Sequence, residues 1–249
     1  MTVGVAELKA AWRALEAGAF GVETPSVSGS RWHPDGTEQV LVVIGCVGSA
    51  GASTVALALA HATGSPARVV ECRSAPESGY AAAASAELGD VDGWRRGSRG
   101  QVLIERLLGD AQTIPCATVV STTIVDADAS ALRPDASGWL PALLEMQPPT
   151  VLVTRPTVPA LRRLETCLGW LRDPLAAVAV VVGPAPKRWP RQVRCSMGVR
   201  TADLAQVGRL LAMPEDGTLA YTGITPDPLP TPLLRAGQET LILLGKEPS

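Results

Sequence analysis

The sequence predicts an α/β domain in three layers, with helices on both faces of a mostly parallel sheet, behind an N-terminal amphipathic helical arm. Two observations predict this class. From residue 40 onward, continuous apolar runs of strand length alternate with helix-like segments, as in parallel sheets that are buried on both faces. A glycine-rich turn over residues 45–51 joins the first apolar run to a helix rich in small residues.

The strands are predicted from apolar runs that do not alternate with polar residues. Such runs, bounded by turn residues, suit strands covered by helices on both sides. The predicted strands are 40–46, 67–72, 117–125, 150–154 and 176–182.

The helices are predicted between and after these strands. Thr157 is a plausible N-cap for one of them, and Pro159 falls in its first turn, where proline is tolerated. The predicted helices are 53–63, 79–88, 100–109, 138–146, 157–172, 201–212 and 229–244.

The N-terminal region is predicted to be separate from this domain. Residues 1–22 form a helical arm in which Val5, Leu8, Trp12 and Leu15 recur at helical spacing. Residues 23–39, rich in polar residues with Pro and Gly, are a linker, and residues 40–249 are the α/β domain. Two alternatives are open for the arm: it packs back on the domain, or it docks on a partner protein.

Composition limits the function classes. The formal net charge of −2 gives no general attraction to nucleic acid or to an anionic membrane. The five cysteines are widely spaced and odd in number, which favours the reducing cytoplasm over a disulfide framework. No apolar run approaches the roughly 20 residues of a membrane span, and no signal peptide is evident at the N-terminus.

The glycine-rich turn is the candidate binding site. Gly45, Gly48 and Gly51 lead directly into Ser53 and Thr54 at the start of a helix. Glycines let consecutive backbone N–H groups converge on an anion, and the helix N-terminus favours negative charge. Three alternatives are open: a tight turn without a ligand, a weakened nucleotide site, or a site for another anion.

The turn lacks the lysine that a phosphate-binding loop normally carries, because Ala52 follows Gly51. The chain's lysines, Lys9, Lys187 and Lys246, all lie far from the turn in sequence. A hydrogen bond to a charged group contributes roughly 1.5–3 kcal/mol, so its loss weakens binding by about one to two decades. Hydrolysis would suffer as well, because the lysine also stabilises charge in the transition state.

The turn resembles the phosphate-binding loop of the MinD/ParA family of deviant-Walker ATPases, Lys-Gly-Gly-x-Gly-Lys-Ser/Thr-Thr. The matching residues are Val47, Gly48, Ser49, Ala50, Gly51, Ala52, Ser53 and Thr54. Both family lysines are replaced, by Val47 and Ala52. The resemblance implies a P-loop NTPase-like fold, with Gly48 to Thr54 around ATP, and it implies ATP and magnesium that are bound weakly or not at all.

Later stretches extend the resemblance to about residue 245. Glu71 matches an acidic residue at the end of the family's second strand, and Asp126 matches its Walker-B-like carboxylate. Pro214 and Asp216 match the "P-x-D" segment near the base pocket. The resemblance therefore implies Ser53 and Asp126 as magnesium ligands, and Pro214 and Asp216 as nucleotide contacts.

Loss of both lysines predicts a weak or inactive family member. It would act as a regulatory, positioning or scaffolding component of a bacterial secretion, pilus, conjugation or partition machine, through its arm and a homodimer face near residues 45–54. One alternative is an active ATPase that borrows an arginine, with Arg73, Arg95, Arg96 and Arg99 as the candidates. Another is an interaction module with an empty loop.

Overall fold

The protein was analysed as a computed structural model, which describes residues 38–73, 75–109 and 120–245. The predicted arm (1–22) and almost all of the predicted linker (23–39) lie outside these residues, so their arrangement stays a prediction. In the described ranges, no helix is long and apolar enough to cross a membrane.

The described residues form one nine-stranded sheet with the strand order β3-β4-β5-β2-β6-β1-β7-β8-β9. The strands are β1 (Gln39–Gly45), β2 (Ala67–Glu71), β3 (Ala86–Val91), β4 (Trp94–Arg99), β5 (Val102–Leu107), β6 (Thr122–Asp128), β7 (Thr150–Thr154), β8 (Val178–Val182) and β9 (Leu210–Met213). In the sheet order from β5 through β2, β6, β1, β7 and β8 to β9, every neighbouring pair is parallel. The pairs β3–β4 and β4–β5 are antiparallel. The predicted mostly parallel α/β class is confirmed.

Helices cover both faces of the sheet and complete the three layers. They are α1 (Ala52–Ala62), α2 (Trp139–Glu145), α3 (Val158–Trp170), α4 (Arg191–Arg194), α5 (Val199–Gln206), α6 (Gly217–Thr222) and α7 (Thr231–Leu243), with short 3-10 turns at Ala75–Glu77, Ala129–Leu132 and Pro186–Arg188. One apolar core packs α1 and α7 against the sheet, and a second packs α2, α3 and α5 against the opposite face. Thr157 caps α3, as predicted, by accepting a hydrogen bond from the Ala160 N–H.

Two of the predicted helices, 79–88 and 100–109, are wrong, because this stretch forms the antiparallel extension β3–β4–β5. Asp92 and Gly93 both have positive φ, at 50° and 81°, and they close the β3–β4 hairpin. Such Asp-Gly turns match the twist of a hairpin. Short apolar runs are ambiguous between helix and strand. Here residues 102–107 form a strand because they pair with β2.

Two further boundaries differ from prediction. The predicted strand 117–125 is observed as Thr122–Asp128, and residues 110–119 lie outside the described chain. The predicted helix 201–212 is a shorter helix, α5, followed by strand β9. Gly208 has a φ of 75° between them, a conformation that ends a helix and that glycine adopts without strain.

Candidate functional site

The glycine-rich loop connects the carboxyl end of β1 to the N-terminus of α1. Strands β7 and β8 end beside it: Cys46 N–H donates to the Val153 carbonyl at 2.8 Å. Ser49 and Gly51 have positive φ, at 55° and 90°. An added Cβ at Gly51 would lie 3.3 Å from a Val182 methyl, so both space and backbone conformation require glycine there.

A cavity of about 370 Å³ opens beside this loop. It is lined by Ser49, Ala50, Gly51, Ala52, Ser53, Thr54, Pro214 and Asp216 of the predicted site. Gly48 lines a second cavity, of about 680 Å³, which also borders the loop. Asp126 lies behind the loop and is fully buried. The fold thus brings the segments of the predicted site to one edge of the sheet, and their roles as ligand contacts stay predictions.

The position of the missing lysine is filled by a buried methyl group. Ala52 is 4% exposed, and its Cβ lies 3.3 Å from where a Cβ on Gly45 would be. Position 52 therefore supplies no charge to the cavity.

Arg73, which follows β2, is the arginine that lies at the loop. Its Nη2 donates to Asp126 Oδ1 at 3.3 Å and to the Ala127 carbonyl at 3.4 Å. It lines both cavities, and an added Cβ at Gly45 would lie 3.1 Å from its Nη2. Of the four candidate arginines, Arg73 is the one whose side chain lines the cavity where an anion would bind.

The other three candidate arginines pair elsewhere and line neither cavity. Arg95 pairs with Asp90 at 3.0 Å on the exposed hairpin. Arg96 pairs with buried Glu105 at 2.8 Å, and Arg99 donates to the Asp227 carbonyl.

The two carboxyl oxygens of buried Asp126 have different surroundings. Oδ1 accepts from Arg73, whereas Oδ2 is buried and has no hydrogen-bond partner among the described residues. Burial raises the pKa of Asp126, and the Arg73 charge together with the Ser53 and Tyr80 hydroxyls opposes that rise. Arg73 is therefore the principal group that opposes the rise in the pKa of Asp126.

A loop held by Glu71 covers Ser53. The buried Glu71 carboxylate accepts from Ser78 Oγ at 2.5 Å and from Gly79 N–H at 2.6 Å. An added Cβ at Gly79 would lie 2.4 Å from Ser53 Oγ, and the Tyr80 hydroxyl donates to the Ser53 carbonyl at 2.9 Å. Sequence reasoning singled out Glu71 but not Ser78, Gly79 or Tyr80, because no local pattern places them over the loop.

The pKa of Glu71 is raised to about 7, chiefly by desolvation and also by nearby Asp126. Hydrogen bonds from Ser78 and Gly79 and the charge of Arg73 act in the opposite direction. The Glu71 carboxyl group therefore titrates near neutral pH.

The far end of the first cavity is formed by β9 and α6. Pro214 lies on its wall, and Asp216 caps α6, its carboxylate accepting from Leu219 N–H at 2.9 Å. Arg155 pairs with Glu215 at 2.8 Å across this wall. Asp216 is thus occupied in capping the helix, a use of the carboxylate that the sequence did not reveal.

The residues predicted to hold magnesium do not fit that ion in this arrangement. The Ser53 hydroxyl packs against Gly79, and the Arg73 guanidinium is bound to one oxygen of Asp126. A divalent cation beside Asp126 would be repelled by the adjacent guanidinium. No group of three or more His, Cys, Asp or Glu side chains in the described ranges could hold a metal ion.

Comparison with known proteins identifies the fold. No known family matches the sequence in a profile search, and no curated protein matches it either. A plasmid partition protein of Borrelia burgdorferi B31 bound to AMPPNP is similar with a TM-score of 0.51 at 9% identity, over 84% of this chain and 99% of that one. The ATP complex of a McdA variant from Cyanothece has a TM-score of 0.52 at 13% identity, over 85% and 98%.

Identities this low establish the fold alone. The chain shares the mostly parallel α/β fold of these two nucleotide-bound proteins.

Proposed function

We propose that the protein is a catalytically weak or inactive ParA/MinD-like protein that positions or scaffolds a bacterial machine. The observation that carries this proposal is the retained glycine-rich loop with buried Ala52 at the lysine position. The loop keeps the backbone N–H groups and helix N-terminus that attract phosphate, but it lacks the group that stabilises charge during phosphoryl transfer.

The structural neighbours support a positioning role. One is described as a plasmid partition protein bound to AMPPNP, and another is McdA in complex with ATP. We infer for this chain a nucleotide-dependent interaction of the same general kind, in the cytoplasm, within a secretion, pilus, conjugation or partition system.

The proposed partners follow from two parts of the sequence. The N-terminal arm, with Trp12, would bind a partner protein, and a second copy of the chain would meet the face around residues 45–54. Gly48 and Ser49 are exposed on this face, and Val47 is half-buried. The net charge of −2 does not favour nucleic acid as a partner.

A second candidate function is an active ATPase, and the position of Arg73 favours it specifically. Its guanidinium lines the cavity and could neutralise charge on a transferred phosphoryl group. In that case substitution of Arg73 abolishes turnover while the fold persists.

Two measurements on the purified full-length chain test the proposal: thermal stability with millimolar Mg-ATP, Mg-ADP and Mg-GTP, and the rate of phosphate release. A ligand at 100 times its Kd adds about 2.7 kcal/mol of stability. We expect a shift with at least one nucleotide and phosphate release far below that of an ordinary ATPase of this fold. Ordinary turnover would establish the second candidate, whereas no shift with any nucleotide would favour an interaction module with an empty loop.

A matched pair of glycine variants shows whether a shift arises at the loop. Gly51→Ala strains a backbone at φ 90° and crowds Val182, so it should abolish the shift. Gly208→Ala strains a backbone at φ 75° in open space away from the cavities and should keep it.

A further inference from the structure

An arginine of the chain itself pairs with the buried Asp126 carboxyl group in β6, beside the glycine-rich loop. Arg73 lies between Asp126 and the glycine-rich loop, with its side chain 19% exposed. Its Nη2 bonds to Asp126 and to the Ala127 carbonyl. Both of these bonds use Nη2, and the Arg73 side chain also lines the two cavities beside the loop.

We propose that the loop binds a nucleoside polyphosphate in its metal-free form, with Arg73 replacing both the loop lysine and the magnesium ion. This inference rests on the proposed function, since it concerns the same phosphate site. It names the chemical form of the ligand and the residue that selects it.

The first supporting step is the mutual exclusion of Arg73 and a divalent ion. The guanidinium already pairs with Asp126 Oδ1 at 3.3 Å. A magnesium ion bound to the same carboxylate would place two further positive charges within a few ångströms of Arg73. In a poorly solvated site that repulsion is screened little.

The second step concerns the Ser53 hydroxyl, which the family pattern would assign to the metal. Ser53 is 7% exposed, and its Oγ packs so closely against Gly79 that an added Cβ there would lie 2.4 Å away. Glu71 holds Gly79 in place through the Gly79 N–H and Ser78 Oγ hydrogen bonds. The Ser53 hydroxyl is therefore already crowded on the side of Gly79, which leaves little room there for a metal ion and its ligands.

The third step is the supply of positive charge to a phosphate. The N-terminus of α1, an 11-residue helix, faces the cavity with the loop backbone, and it favours an anion. Arg73 is aimed at the same cavity and can bond a phosphate oxygen through two N–H groups. The other arginine on the wall, Arg155, is engaged by Glu215 at 2.8 Å.

The test is isothermal titration of the full-length chain with ADP and ATP, once in EDTA and once in excess Mg²⁺. We expect binding in EDTA that is as tight as, or tighter than, binding in Mg²⁺. Binding that requires Mg²⁺ would overturn the proposal. Absence of binding in both conditions would overturn it as well.

Variants identify the residue responsible. Arg73→Ala alone leaves a buried carboxylate unpaired, so Arg73→Ala/Asp126→Asn is the main variant; it should weaken binding in EDTA at least tenfold. Arg73→Lys keeps a positive charge and should therefore bind more tightly than the double variant but less tightly than the unmodified protein. Arg95→Ala, on the exposed hairpin, should bind like the unmodified protein. Unchanged affinity in the double variant would refute the role of Arg73.

The inference and the proposed function fail in different ways. Mg²⁺-dependent binding without turnover contradicts only the inference. Rapid phosphate release with Mg-ATP contradicts the proposed function, whatever the titrations show.

Discussion

Ala52 and Arg73 together determine the charge at the loop. The buried methyl group at position 52 leaves the cavity without the expected lysine, and an arginine 21 positions later in the chain reaches the same place from the end of β2. Because Arg73 is also bound to Asp126, its charge is shared between an internal carboxylate and any ligand. We expect affinity for phosphate to be lower than a free lysine would give.

Replacing Ala52 by lysine tests this reasoning. We expect Ala52→Lys to destabilise the ligand-free protein, because position 52 is 4% exposed and offers the ammonium group little water. Affinity for ATP should rise about ten- to hundredfold, since a charged hydrogen bond contributes roughly 1.5–3 kcal/mol. Calorimetric titration measures both the affinity and its metal dependence. Ala82→Lys, at an exposed position outside both cavities, changes the net charge equally and should alter neither quantity.

Glu71 gives a pH dependence with a defined sign. Its pKa is raised from 4.5 to about 7 in the folded chain, so the folded state binds this proton more tightly than the unfolded state. The resulting stability, about 3 kcal/mol by linkage, is fully present below pH about 4.5 and is lost as pH rises through about 7. Asp126, whose pKa is also raised, contributes in the same direction, and Arg73 opposes both shifts.

Urea denaturation between pH 5.5 and 8.5 measures this effect. We expect the unfolding free energy to fall across that range, and Glu71→Gln to flatten the fall while keeping the contacts with Ser78 and Gly79. Glu239→Gln, at an exposed position on α7, should retain the original slope. Equal slopes for both variants would exclude Glu71 as the source.

At the scale of elements, the loop depends on the packing of α1. Its small residues let α7 approach closely, so that an added Cβ at Gly237 would lie 2.8 Å from the Ala58 carbonyl oxygen. The apolar core on this face of the sheet is built largely by these two helices and the strands beneath them. Close packing of α7 therefore supports the helix whose N-terminus faces the cavity.

Gly237→Ala tests the closeness of this contact. The added methyl group meets backbone rather than a flexible side chain, so we expect a loss of about 1–3 kcal/mol in unfolding free energy. The gain in helix propensity, about 1 kcal/mol, offsets only part of the cost of separating the helices. Gly217→Ala in α6 adds the same methyl group in open space and should leave the free energy unchanged or slightly higher. A stable Gly237→Ala protein would show that α7 can move away freely.

At the scale of the whole molecule, a buried ion network ties the antiparallel extension to the parallel sheet. Arg68, which is fully buried on β2, donates to Thr123 at 2.7 Å, to Glu105 at 3.1 Å and to Glu38 at 2.9 Å. Glu105 also accepts from Arg96 at 2.8 Å. The network thus joins four neighbouring strands, β4, β5, β2 and β6, with the residue that precedes β1.

Arg68→Met tests how much the sheet depends on this network. Removing one partner leaves Glu105 buried with less compensation, and breaking such pairs costs roughly 3–5 kcal/mol. Arg95→Ala removes an arginine from an ion pair that is about half exposed and should cost less than about 1 kcal/mol. Denaturant titrations of the two variants give the comparison, and similar losses would contradict a special role for Arg68.

The sequence by itself determined the α/β class, the position of the glycine-rich loop and the absence of its lysine. These features depend on local patterns: continuous apolar runs for β1, β2, β7 and β8, and glycines directly before a helix. The periodicity of 79–109 did not distinguish helix from strand, because the antiparallel extension exists only by pairing with β2.

Only the tertiary structure decided what surrounds the loop. Of the four candidate arginines, Arg73 is the one that folding brings to the loop, against Asp126, which is 53 residues away in sequence. Folding also covers Ser53 with Gly79 and engages Asp216 as a helix cap. The physical reason is common to all three: the charge and access of a side chain depend on neighbours that the chain brings together only on folding.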